Sequence, residues 1–271
     1  MFLNGREDEA RRKIRPNDPW LFNLIKDYFT KDREISYSLL EKSDDPFGLL
    51  RERILKIPSP AKFALTLGSR AHEIAEMRFN GALDEKTLTE DEKRYLSNIK
   101  AVDKELCEKL GVRQVAAEME IKLGLKEMYE GAQDTMRFKG FLDAVYETEG
   151  NGPKKYVILD WKTDRKEDNA ATHRRQIGVY KRALAAAKGI SESDISIAIG
   201  FIGLKGNINT QRLDYKLDLA QEKPQQMKTF EKHLQRFLDY RKDPKSFIGD
   251  LREQKVDDPM YGRIMALLEN K

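Results

Sequence analysis

Cysteine is almost missing from this 271-residue chain, which has one, Cys107. A single thiol excludes a disulfide framework and any metal or iron–sulfur cage built from cysteines alone. Long apolar runs are missing too. The longest, Ile197 to Leu204, is eight residues and contains two glycines, far short of a membrane-spanning helix. The first residues, Met1-Phe2-Leu3-Asn4-Gly5-Arg6-Glu7-Asp8, turn charged too early for a secretory signal. There is no internal repeat and no low-complexity linker. Neither sign of charge dominates: 50 Lys and Arg stand against 46 Asp and Glu, a net +4. With 39% apolar residues the chain can still bury a core. The expectation is an intracellular, cytoplasmic, globular protein with no membrane partner.

Charge distribution is more telling than its total. Lys162 to Lys188 carries eight basic residues (among them Arg174, Arg175 and Lys181) against three acids. The ordinary explanation is a solvated helix face, and the functional one a phosphate-contacting patch. Periodicity gives the elements. Helical spacing covers Pro19 to Tyr28, Ser36 to Leu50 with a break at Pro46, Gly68 to Asn80, and Thr89 to Leu110. In the last, Thr89 and Glu92 form a capping box, Tyr95, Leu96, Ile99, Val102, Leu106 and Leu110 form one stripe, and Gly111 is a C-cap. The period then changes. Val115 to Leu125, Thr135 to Glu147 and Tyr156 to Lys162 read as strands, Asn169 to Lys188 as a helix, and Ile195 to Leu204 as a buried central strand. Gln211 to Leu217 alternates as an outer strand, and Pro224 to Arg241 is an amphipathic helix. This order predicts a mixed α/β core, residues 113–271, with a mainly helical N-terminal portion, residues 1–112, packed on it as one compact unit.

The strand Tyr156-Val157-Ile158-Leu159-Asp160-Trp161-Lys162 ends with an acid and a lysine on one face, while Val157, Leu159 and Trp161 point into core. The strand before it, Gly140-Phe141-Leu142-Asp143-Ala144-Val145-Tyr146, holds a second acid in an apolar run. Asn151-Gly152 between them is a strong two-residue hairpin signal. That turn sets Asp143 directly opposite Asp160, with Cβ atoms about 4.5–5.5 Å apart. Two carboxylates so close repel, and a hard divalent cation relieves them. Glu118 and Glu120 alternate on the strand before and share a face, which is equally a solvent-facing surface. His72, in Gly68-Ser69-Arg70-Ala71-His72, sits at the edge of an apolar helix stripe, where a histidine is more often structural. Gln176 and Tyr180 stand one helical turn apart on an apolar face, as an interior polar bridge or a site wall. His173 and His233 read as surface residues.

Together Gly68-x-x-x-His72, Gly140-Phe-Leu-Asp143, Asp160-Trp161-Lys162-Thr163 and Gln176-x-x-x-Tyr180 resemble the RecB-type branch of the PD-(D/E)XK nucleases. The resemblance implies a restriction-endonuclease-like mixed sheet flanked by helices. It implies a Mg²⁺- or Mn²⁺-dependent DNA nuclease acting on single strands or ends, in repair or processing near the nucleoid, with a helicase as a candidate partner. His72, Asp143, Asp160 and the Trp161 carbonyl would hold the metal, and Asp143, Asp160 and Lys162 would carry catalysis. Lys162 would position and activate water. Glu118, Gln176, Tyr180, Arg174, Arg175 and Lys181 would support the site or contact DNA. Relatives that bind an iron–sulfur cluster use one N-terminal and three C-terminal cysteines. Here the corresponding place reads Asp44-Asp45-Pro46-Phe47, and residues 247–271 have no cysteine, so no cluster is expected. The alternatives are a non-catalytic DNA-binding or regulatory subunit of a helicase complex, or a CRISPR spacer-processing nuclease without a cluster.

Overall fold

The computed structural model describes residues 19–57, 63–129, 131–132, 135–150, 152, 154–206 and 213–269. They comprise α1 (Trp20–Thr30), β1 (Glu34–Ile35), α2 (Tyr37–Glu41), α3 (Pro46–Leu49), α4 (Phe63–Phe79), α5 (Glu90–Leu110), β2 (Val112–Gly124), β3 (Arg137–Thr148), β4 (Tyr156–Lys162), α6 (Ala170–Lys188), β5 (Ile195–Lys205), β6 (Leu213–Asp218), α7 (Pro224–Lys242), α8 (Pro244–Glu253) and α9 (Pro259–Glu269). The chain divides into two compact units. The larger is Arg33–Tyr37 with Pro60–Lys232; the smaller takes Met1–Asp32, Ser38–Ser59 and His233–Lys271. This differs from the expected division at residue 112 and from a single unit. α4 and α5 belong with the sheet they cover, and the smaller unit is assembled from both ends of the chain. No composition shift marks these boundaries, because α7 runs through one of them.

The larger unit is a mixed six-stranded sheet, order β1-β3-β4-β5-β6, with β2 also on β3. With helices flanking it, this is the expected restriction-endonuclease-like α/β fold. β2 and β3 pair antiparallel over the whole of β3, so β1 and β4 share its other edge. β4 and β5 are parallel, as the α6 crossover requires, and β6 returns antiparallel at the edge. α5 starts at the Thr89–Glu92 capping box and stops at Gly111, which takes a left-handed φ of 61°. Its buried face (Tyr95, Leu96, Ile99, Val102, Leu106) meets Val157, Leu159 and Trp161 of β4, together with Ala71 and Ile74 of α4, in one core cluster. Each fully buried Leu or Ile there contributes about 1.5–3 kcal/mol. Leu110, expected in the stripe, is exposed at the helix end. Asn98 is buried on the same face and its amide donates to the Ile202 carbonyl at 2.9 Å.

In the smaller unit Phe29 packs its ring against Phe237, Tyr240 and Phe247. Polar contacts link early and late segments: the Ser43 hydroxyl donates to the His233 carbonyl at 3.0 Å, and the Gln254 side chain bonds both Phe47 N–H and Asp45 Oδ1. His233 is 3% exposed, with Nε2 2.6 Å from Asp44 Oδ2. It is therefore not the surface residue expected: its helix face is covered by a chain segment almost 200 positions away, which periodicity cannot show. Among the described residues no helix is long and apolar enough to cross a membrane.

Gly203 of β5 lies under the chain that leaves β4. A Cβ there would stand 2.4 Å from the Thr163 carbonyl oxygen, a backbone atom that cannot turn aside. Gly203→Ala is expected to destabilise by about 1–3 kcal/mol through this overlap. Gly249→Ala on α8 meets nothing within 4 Å and is expected to be neutral or stabilising by up to about 1 kcal/mol. Chemical denaturation of the two variants checks the difference.

Candidate metal centre and active site

The β3–β4 ladder pairs Glu147 with Tyr156 through Ala144 with Leu159, and there it ends. This is the register expected of the hairpin, although Asn151 itself lies outside the described residues. The next positions, Asp143 and Asp160, face each other where the strands part. The Asp143 carboxylate takes the place of the missing ladder bond, with Trp161 N–H donating to its Oδ2 at 2.8 Å. On the other side of β3, Ala117 pairs with Ala144 and Met119 with Leu142, so Glu118 stands opposite Asp143. Three acids thus line up across β2, β3 and β4.

Two cations meet this row. His72, on α4, places Nδ1 3.3 Å from Asp143 Oδ2 and 3.6 Å from Glu118 Oε1, and Nε2 2.9 Å from the Trp161 carbonyl. The Lys162 ammonium lies 2.5 Å from Asp160 Oδ2, both nearly buried. Electrostatics follow. Burial disfavours a charged His72, but Asp143 and Glu118 outweigh it and push the pKa from 6.5 up to about 10. Burial also acts to raise the Asp143 carboxyl, yet the hydrogen bond and charge of His72 hold it below its ordinary value. Asp160 goes the other way: burial lifts it to about 7 against the pull of Lys162, and Asp143 adds to the lift. The Lys162 ammonium is raised, since Asp160 and Asp143 outweigh its desolvation.

Glu118 has a backbone φ of 44°, left-handed and costly for a non-glycine residue by about 1–3 kcal/mol. Regular pairing on both sides holds it there. One register runs from Gly124–Arg137 through Ala116–Val145 and sets this acid against Asp143; a bulge between Gln114 and Ala116 follows it. Gly140 matters for the opposite reason. A Cβ there would be 2.7 Å from Tyr180 Cε1, so the missing side chain lets the Tyr180 ring lie on β3. Gln176 Nε2 donates to the Tyr180 hydroxyl at 3.4 Å, and burial raises the phenol pKa. The two side chains thus form a polar bridge one helical turn long.

The donor set fits a hard divalent cation. His72, Glu118 and Asp143 each offer a ligand atom, all within 4.8 Å of one another, and the Trp161 carbonyl adjoins His72. Two carboxylates and a carbonyl are hard oxygen donors, and the imidazole adds a nitrogen that borderline divalent metals accept. Asp160, expected among the ligands, is ion-paired with Lys162, and Glu118 joins His72 and Asp143 in the cluster. The Glu118–Glu120 alternation was visible in sequence, but the long connection between β2 and β3 conceals its register. An open cleft of about 1190 Å³ lies over the site, lined by His72, Glu118, Phe141, Lys162, Arg165 and Asn169 among others.

The basic cluster on α6 is divided. Arg174 is ion-paired with the buried Asp218, Lys181 with Glu222 at 2.8 Å, and Arg175 Nε donates to the Tyr37 hydroxyl at 2.8 Å. These three, expected to contact DNA, are engaged within the chain, by partners at the end of β6, in the segment after it and on α2. Arg165 instead lines the cleft. His173, read as a surface residue, is 14% exposed in its side chain and lies 2.5 Å from Asp164.

The chain belongs to the PD-(D/E)XK nuclease superfamily, whose family model matches residues 35–246. Among solved structures, "Crystal structure of SSO0001" is similar over 77% of this chain and 87% of its own at 13% identity, with a TM-score of 0.30, too loose to bear on the site. No curated protein matches.

Two outcomes follow. The raised His72 pKa means its charge stabilises the metal-free fold in full below about pH 6.5 and ceases to do so as pH rises through about 10. The melting temperature of metal-free protein is expected to fall across that window more steeply than that of His72→Gln; parallel profiles would contradict the pairing. At Glu118 the φ of 44° reverses the usual strand preference. Glu118→Gly is expected to be more stable than Glu118→Ala, and both to bind Mn²⁺ at least tenfold more weakly by calorimetry.

Proposed function

We propose that this chain is a Mg²⁺- or Mn²⁺-dependent deoxyribonuclease of the RecB-type branch, hydrolysing phosphodiester bonds on single strands or at ends. The observation that carries the reading is the convergence of His72, Glu118, Asp143, Asp160 and Lys162 where β3 and β4 part, beneath an open cleft. His72, Glu118, Asp143 and the Trp161 carbonyl would hold the cation, with Asp160 as a further acid within the site. When bound, such an ion polarises a phosphoryl oxygen and eases deprotonation of water at neutral pH. The chain's own residues do the rest. Lys162 places a positive charge beside the position where the transferring phosphoryl group gains negative charge. Asp160 holds that ammonium in place. Tyr180 and Gln176, bonded to each other, are the supporting pair of this reading. Arg165 offers a phosphate contact at the cleft. Exonucleolytic action, a role in DNA repair or processing, a cytoplasmic, nucleoid-associated setting and a helicase partner belong to this reading.

End-labelled single- and double-stranded DNA incubated with Mg²⁺, Mn²⁺ or EDTA tests it. Metal-dependent cleavage is expected, with a product ladder that gives polarity. Asp143→Asn, Asp160→Asn and Lys162→Gln are each expected to lower kcat at least about 100-fold, the scale of losing one charge-stabilising group, without loss of the folded state by circular dichroism. Cleavage that persists in EDTA or in Asp143→Asn would sink the proposal.

A further inference from the structure

Phe141 is out of place for stability. On β3 its neighbours Phe138, Gly140 and Leu142 are buried, yet Phe141 is 44% exposed. Six large apolar side chains are exposed among the described residues, and of these Phe141 lines the cleft. It shares that cleft with His72 and Glu118 and stands two residues before Asp143. Its backbone is fixed by pairing with Glu120, so the ring sits on a rigid strand rather than a loop. The Lys139 ammonium lies over one side of the ring, 5.2 Å from its centroid, and is also 3.4 Å from Glu120 Oε1. A flat, rigidly mounted aromatic face, wet on one side and next to a cation, is the arrangement on which nucleobases stack while their phosphates meet positive charge.

We infer that Phe141 is a stacking platform for one unpaired base of the DNA strand in the cleft, and so a residue that selects for unpaired nucleotides beside the metal centre. Inside a duplex each base already has both faces covered by its neighbours. The ring can therefore engage only a base with an open face, in a single strand, at a terminus or in a displaced nucleotide. The inference rests on the nuclease reading above and specifies its substrate.

Full-length protein with Mn²⁺ is compared on single-stranded oligodeoxythymidylate, on the same strand carrying a single abasic residue placed in turn at each position near the cleaved bond, and on blunt duplex. Phe141→Ala and Phe141→Leu are expected to lower kcat/KM on the intact single strand by about 5- to 150-fold, the range for one lost stacking contact, mainly through KM. Phe141→Trp should restore it. At one position the abasic residue should cost the wild type a similar factor, and that loss and the Phe141→Ala loss should not add. Phe141→Leu retaining wild-type activity, or the two losses multiplying at every position, would overturn the stacking role while leaving the nuclease intact. A wild type that cleaves none of the substrates would overturn the nuclease reading itself, and the inference with it.

Discussion

The site depends on electrostatic repulsion deliberately confined. Glu118, Asp143 and Asp160 occupy adjacent strands in one row, and strand pairing brings their carboxylates together whether or not they are neutralised. His72 answers one end of the row and Lys162 the other. The environments then diverge: Asp143 is held below its ordinary value and Asp160 above it, to about 7. The same row that would destabilise a sheet is a candidate place for a doubly charged cation, which would share with His72 and Lys162 the task of compensating it.

The surrounding fold serves that row. The α4–α5 layer is fixed to β4 and β5 by the core around Val157, Leu159 and Trp161, which orients His72 towards the parting strands. Trp161 does two jobs at once: its indole is 2% exposed in that core, while its backbone N–H and carbonyl face Asp143 and His72. On the opposite side Gly140 admits Tyr180. The left-handed backbone of Glu118 shows the cost of the arrangement, since local conformational preference has been overruled to present a carboxylate.

Much of this was legible in the sequence. β4 and α6 follow from periodicity, and the Thr89–Glu92 box and Gly111 bound α5 as their chemistry requires. The opposition of Asp143 and Asp160 could be read because a tight turn transmits register. Glu118 could not be placed, because a long connection separates its register from any local signal. β1 is two residues long, too short for a period. The ion pairs of the basic helix were hidden for a related reason. Charge counting sees Arg174 and Lys181 but not Asp218 and Glu222, which reach them from some 40 positions away. Domain division failed on topology: the smaller unit is discontinuous, and no linker composition announces a boundary inside a helix.

That discontinuity has a consequence for how the chain is made. The Ser43 hydroxyl and the His233 carbonyl that it meets are separated by 190 positions, and the Asp45–Gln254 bond by 209. The larger unit is nearly continuous, so nearly all of its partners have emerged once residue 232 has been synthesised. The Phe29 ring must wait until α7 and α8 appear before it meets Phe237, Tyr240 and Phe247. During that interval the nascent chain carries an aromatic segment without those partners, and the arrival of α7 and α8 ends that period of exposure to mispairing and proteolysis.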